Sequence, residues 1–213
     1  DFSHNPQQIN PKSGLIYSAN NQPADRGDGL IPGYYSPTDR PERILELLSK
    51  HQKFTPEDMK SILMDNVTPT AKLFQNMAIP VLENSESELN KLEQVALSHF
   101  KQWHGNHSSN EIGATIYNRF RIKFMELAMA DEIGEELYPS FQFGFLIDRS
   151  IWRILKNKNS VWWDNINTEK VETQDQLIIE AWHQSIAFLS TRFGNDSTNW
   201  SWGQDTKLVH EHP

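Results

Sequence analysis

Only one short stretch of this chain, GLIYSA at residues 14–19, has the continuous apolar character of a β-strand. Segment after segment beyond residue 38 instead carries apolar residues at helical spacing. That imbalance sets the expected fold class: mainly α, with one or two short strands. A lone strand leaves both of its edges unpaired. It either pairs with a segment of this chain whose strand character is hidden, or joins a sheet whose other strands lie elsewhere in a larger parent protein. The second arrangement is the one expected here.

The helical segments share one device for starting. In TDRPERILELLSKH, Thr38 is a plausible N-cap, Pro41 comes early, and Ile44, Leu45, Leu47 and Leu48 form a stripe expected to be buried. TPEDMKSILMDN repeats it: Thr55 caps, Pro56 takes the first helical position, Glu57 and Asp58 sit at the positive end of the dipole, and Met59, Ile62 and Leu63 are expected to face inward. TPTAKLFQNM starts at Thr68 and Pro69, and Pro80 is expected to end it. SESELNKLEQVALSHFKQW sets Leu89, Leu92, Val95, Ala96, Phe100 and Trp103 at helical spacing behind a serine cap. Further helices are expected at about residues 114–137, 141–156 and 173–192, which brings the count to about seven. The tail NWSWGQDTKLVHEHP has no helical period and could hold a strand. The expected organisation is one structural unit in three parts: strand and loop over 1–37, helices over 38–194, and an aromatic tail over 195–213.

Bulk properties exclude several functions. A net charge of −8 gives no electrostatic reason to bind nucleic acid or an anionic membrane surface. No stretch approaches 18 consecutive apolar residues, so no membrane insertion is expected, and the N-terminus has no hydrophobic signal core. The absence of cysteine removes a disulfide framework, a thiol nucleophile and a cysteine zinc site. Counted with glycine and without tyrosine, the apolar fraction is about 39%, below the ~45–50% of an average globular domain. The shortfall fits a piece that completes its buried surface with other parts of its parent.

Two polar features stand out. The strand stops at adjacent asparagines, Asn20 and Asn21. A neutral amide NH2 at a rigid strand end can hold an oxyanion, since it donates without a proton to lose; by residue type alone, two asparagines more often just cap and turn the chain. Arg40 falls at a helix start, where the dipole disfavours a cation, so its placement suggests a specific partner. Between them runs a loop with Gly27, Gly29, Pro32, Gly33 and the pair Tyr34–Tyr35, a length and composition typical of functional loops.

Taken in order, GLIYSANNQP, GYYSPTDRPERILELL, FTPEDMKSILMDN and FGNDSTNWSWGQDTKLVHEHP resemble the middle of the β-chain of the penicillin acylase family. The resemblance covers nearly the whole chain and is strongest at its ends. It implies N-terminal-nucleophile chemistry on a four-layer αββα fold, with these helices inserted between its strands. In such enzymes a serine exposed by self-cleavage attacks an amide carbonyl with its own α-amine as general base. By the same resemblance, the first asparagine of the NN motif, Asn20, is the oxyanion donor, and the arginine of the DR…RI motif, Arg40, is its support. Asn21, Tyr34 and Tyr35 are the accompanying candidates for the substrate pocket. Some members hold a structural calcium through an acidic residue in the loop after the asparagines, a place taken here by Asp28, with Asp25 as alternate; no other cofactor is implied. The implied partners are a small-molecule acyl amide, of the β-lactam side-chain or acyl homoserine lactone type, and the remaining α- and β-chain segments of the parent. The implied compartment is the periplasm or the cell exterior.

The departures from the family pattern also matter. The chain opens with Asp1 rather than serine, Ser109–Asn110 is internal and lies in a turn, and Thr206 stands where a histidine commonly follows the first tryptophan of WSWG. The nucleophile segment is therefore expected outside these residues, and the isolated piece is expected to be inactive. The reading from a different class is a non-catalytic helical interaction module.

Other motifs carry blander readings. The histidines of HGNH (His104, His107) and HEH (His210, His212) have no HExxH or cysteine partner to make a zinc site. The run Asp131, Glu132, Glu135 and Glu136 is expected to be a wet helix face rather than a glycosidase acid pair. Trp162, Trp163, Trp200 and Trp202 are expected to fill packing seams. The RGD triplet at Arg26–Asp28 is too short to carry meaning.

Overall fold

The structure, a computed structural model, describes residues 5–23, 31–33, 35–143 and 151–208. The chain divides into two compact units, Asp1–Asp65 and Asn66–Pro213.

In the first unit, the described residues before Thr38 have no regular secondary structure, and helix α1, Asp39–Leu48, and helix α2, Pro56–Leu63, follow. Helix α2 starts as its sequence requires. Thr55 accepts from the Asp58 N–H, Asp58 reaches back to the Thr55 N–H at 2.8 Å, and Pro56 opens the helix. Helix α1 starts differently: Thr38 has helical backbone angles and its side chain makes no capping bond. The expected inward faces are only partly covered. In α1 Pro41 alone is buried and Leu45 is 39% exposed; α2 has no buried residue, with Leu63 at 81%. Two short helices cannot enclose each other's apolar stripes.

The expected strand at residues 14–19 is not formed. Among the described residues there is no β-ladder, only an isolated antiparallel bridge between Val67 and Asn106, so the apolar run has no edge to pair with.

The second unit is a helical bundle: α3, Ala71–Asn84; α4, Lys91–Gln102; α5, Ile112–Ile133; α6, Tyr138–Phe143; helical residues at 151–154; α7, Gln174–Phe193; and the short α8, Trp202–Asp205. Helices α5 and α7 pair most extensively, α4 packs on both, and α3 packs on α7 and α4 and reaches α5 through the Phe74 ring. Their seam is filled by Phe74, Phe100, Phe120, Phe124 and Trp182, all essentially inaccessible. The rings meet edge-to-face, Phe74 on Phe120 with centroids 5.0 Å apart and Phe120 on Trp182 at 5.1 Å. Trp163 and Trp200 are buried and each donates its indole N–H to a backbone carbonyl, of Asn157 and Gly194. Two buried polar side chains join helices: Gln75 donates to Phe100 O and Trp103 O at the end of α4, and Glu93 on α4 meets His183 on α7 at 2.7 Å.

Several boundaries differ from the sequence expectation. Pro80 does not end α3 but lies inside it; it is exposed, as is Asn76, whose carbonyl it leaves unbonded, so water can take the place of the missing bond. The cap of α4 is Asn90, in a capping box with Glu93, not a serine. The expected helix over 114–137 stops at Gly134, whose φ of +85° ends α5 before α6 begins. The tail forms a single 3₁₀ turn at Ser197–Asn199 and then α8, with no strand among its described residues. Asp131 and Glu132 are not a wet face either: both are half-buried, and Asp131 Oδ2 accepts from the Ile166 N–H at 2.8 Å.

Candidate active-site segment

The site forms where the chain before the loop meets the chain after it. Ala19 is 2% exposed, and the next residue, Asn20, turns the backbone out with a φ of +61°. That region disfavours side chains with a Cβ, and asparagine is among the residues that enter it most readily. The Ser36 N–H donates to Asn20 O at 2.7 Å, bringing the far side of the loop onto the same residue. Gln22 Nε2 adds a second tie, to Ile31 O at 3.3 Å.

The two asparagines do different work. Asn21 turns on its own chain: its Oδ1 accepts from the Ala19 N–H at 3.2 Å, and its Nδ2 donates to Gln22 O at 3.4 Å. Asn20 instead receives Arg40, whose Nη1 donates to Asn20 Oδ1 at 3.1 Å. The guanidinium can only donate, so this contact settles which end of the Asn20 amide is oxygen. The Nδ2 group has no hydrogen-bond partner among the described residues, and both side chains stand at the open surface. The arrangement is a polarised amide with its NH2 free to take an acceptor.

Arg40 is held by α1, in whose first turn it lies. Three residues on, Arg43 grips Asp65 with two bonds, Nε to Oδ1 at 2.8 Å and Nη2 to Oδ2 at 2.6 Å. Its third bond goes to Glu46 at 2.7 Å. Hydrogen bonding to Asp65 raises the Arg43 pKa further above an already high value, so its charge is permanent.

Of the remaining candidates, Tyr35 is half-buried and folds over Gly33, its ring 3.1 Å from where a Cβ would stand on that glycine. Asn21 lines an open hollow of about 600 Å³ together with Pro6, Ile16, Tyr17 and Pro23. Tyr34, Asp25, Asp28 and the RGD triplet lie outside the described residues, as do His210 and His212. No group of three acidic or histidine side chains suited to a metal occurs among the described residues, and no described helix is long and apolar enough to cross a membrane.

A model of the penicillin amidase family matches residues 1–213. The chain belongs to the penicillin amidase family. A comparison with curated proteins gave no match. Membership assigns the parent enzyme to the acylase-type amidohydrolases, processed into more than one chain and acting on small-molecule amides. Within the penicillin amidase chain, sequence reasoning missed Asp65, Arg43, Ile16 and Tyr17. Asp65 did leave a signal: an acid just past the C-terminus of α2 is placed against the dipole and calls for a cationic partner.

Proposed function

We propose that this segment supplies the oxyanion donor of an amide hydrolase: Asn20 Nδ2 faces the oxygen that becomes negative when an acyl amide is attacked, and Arg40 orients and polarises it. The contact of Arg40 Nη1 with Asn20 Oδ1 carries the reading. A charged donor on the amide oxygen draws electron density from the nitrogen, strengthens its N–H as a donor, and stops the amide from flipping its oxygen towards the anion. The positive φ of Asn20 sets where its side chain leaves the backbone and the Arg40 bond holds the amide before reaction begins, so little reorganisation is needed as charge develops. The attack itself falls to an N-terminal nucleophile. In this reading Ile16, Tyr17, Asn21, Tyr34 and Tyr35 contribute to the wall that meets the acyl group. Substrates are non-peptide linear amides of the β-lactam side-chain or acyl homoserine lactone type. The other α- and β-chain segments complete the αββα fold, Asp28 contributes to a structural calcium site, and the enzyme works in the periplasm or outside the cell.

The test is made in the processed enzyme that carries this chain, assayed on a panel of phenylacetyl and linear acyl p-nitroanilides. Asn20→Ala lowers kcat about 10²–10³-fold, the usual cost of one oxyanion donor. Asn20→Gly, which accepts the positive φ without strain, falls as far, because the loss is of the amide and not of the turn. Turnover by Asn20→Gly at the parent rate rejects the assignment.

A further inference from the structure

Helix α1 is a poor platform by packing alone. Its only buried residue is Pro41, its N-cap side chain makes no bond, and it is followed by a helix with no buried residue at all. A helix so lightly packed can slide or roll unless polar contacts fix it, and Arg40 must meet Asn20 to within the tolerance of one hydrogen bond. Three contacts provide that fixation. The Ser36–Asn20 backbone bond and the Arg40–Asn20 bond hold the first turn. Arg43, one turn along, is fastened to Asp65 by a planar two-bond pair whose side chains are only 18% and 17% exposed. A bidentate guanidinium–carboxylate pair fixes direction as well as distance, which a single bond to a lysine would not do.

From these contacts we infer that Asp65 is a positioning residue for the oxyanion site: its grip on Arg43 sets the rotation of α1 and thereby seats Arg40 on Asn20. The inference rests on the proposed role of Asn20 and extends it to a residue that touches neither substrate nor the oxyanion. Asp65 sits just past the end of α2, where the dipole opposes a carboxylate. Its pairing with Arg43 thus offsets an unfavourable placement, and the same bond makes α1 follow the end of α2. Misplacing a catalytic contact by about 1 Å can cost about 10²-fold in rate. Loss of the Asp65 carboxylate, which loosens Arg40 rather than removing it, is expected to cost less.

The experiment is a double-mutant cycle in the processed enzyme on the same acyl p-nitroanilides, with kcat and KM measured separately. Asp65→Ala lowers kcat about 10–30-fold with KM changed less than about twofold, and Asp65→Glu recovers part of the loss. The deciding arm is the Arg40→Ala background, where Asp65→Ala lowers kcat no further, because there is no guanidinium left to place. An equal fold-loss with and without Arg40 means that Asp65 supports the fold generally, and overturns the inference while leaving the role of Asn20 intact. Unchanged turnover in Asn20→Gly overturns both. If Asp65→Ala does not fold, Asp65→Asn and Arg43→Lys enter the same cycle, since each keeps the side-chain volume and weakens the two-bond grip.

Discussion

Arg40 and Asn20, twenty residues apart in sequence, are joined through the one atom of the asparagine side chain that cannot serve an oxyanion. The bond occupies the Asn20 oxygen and spares the nitrogen, so in the role proposed above the two residues act as a single donor. Replacing Arg40 by lysine keeps the charge but not the planar fork, and the shorter reach and free rotation of an ammonium loosen the amide. Expected kcat losses are about tenfold for Arg40→Lys and about 30–50-fold for Arg40→Ala, below the loss for Asn20→Ala because the donor itself survives. An Arg40→Ala enzyme as slow as Asn20→Ala would show instead that the guanidinium contacts the reacting carbonyl directly.

How much of this was legible in the sequence depended on whether the deciding interaction was local. The Thr55–Asp58 capping box and the Thr173–Gln176 box are three-residue relations, and both stand where the sequence suggested a start. The meeting of Asn20 with Arg40 followed from motif resemblance, not from periodicity. Burial was far less legible in the first unit: Leu63 and Met59 have helical spacing yet stay 81% and 43% exposed, because periodicity identifies an apolar face but not what covers it. The GLIYSA stretch failed as a strand for the same reason, since strand formation needs a partner edge that composition does not reveal. Asp131 and Glu132 have the look of solvent-facing acids in sequence because the group that meets Asp131, the Ile166 N–H, lies 35 positions further along the chain.

Gly113 tests the packing of α4 on α5. A Cβ there would stand 2.3 Å from Trp103 Cβ and 2.5 Å from Trp103 Cγ. Alanine in place of a helical glycine normally gains roughly 0.5–1 kcal/mol. Here the opposing atom is itself a Cβ, fixed to the backbone, so no side-chain rotation relieves the overlap, and forced overpacking costs about 1–3 kcal/mol. The clash wins: Gly113→Ala is expected to lower the melting temperature measured by calorimetry, and a rise would show that the two helices can separate at no cost.

Pro80 offers the opposite case. It interrupts α3 on an exposed side, so a residue with an N–H can restore the bond to the Asn76 carbonyl without disturbing the core. Proline inside a helix costs about 3 kcal/mol relative to alanine. The greater freedom of the unfolded chain returns about 0.4–1 kcal/mol of that. Pro80→Ala is expected to stabilise by about 2 kcal/mol, read as a shift in urea midpoint with unchanged slope. A fall in midpoint would mean that the packing of α3 depends on the ring of Pro80.

Glu132 makes stability depend on pH. Burial first, then hydrogen bonding to Asp131 and the negative charges of Asp131 and Asp164, pushes its carboxyl up to about 7 from an ordinary 4.5. The buried Oδ1 of Asp131 and Oε2 of Glu132 lack any other partner, so one proton between the two side chains satisfies both. Because the folded protein holds this proton more tightly than the unfolded chain, the stabilising contribution is complete below about pH 4.5 and is lost as pH rises through about 7. Above that, two carboxylates face each other at the negative end of α5. Melting curves should therefore show a decline between pH 5 and pH 8. Glu132→Gln replaces the shared proton with a permanent N–H donor, so it flattens that decline and raises the melting temperature at pH 8. An unchanged slope in Glu132→Gln would place the pH dependence on some other pair of groups.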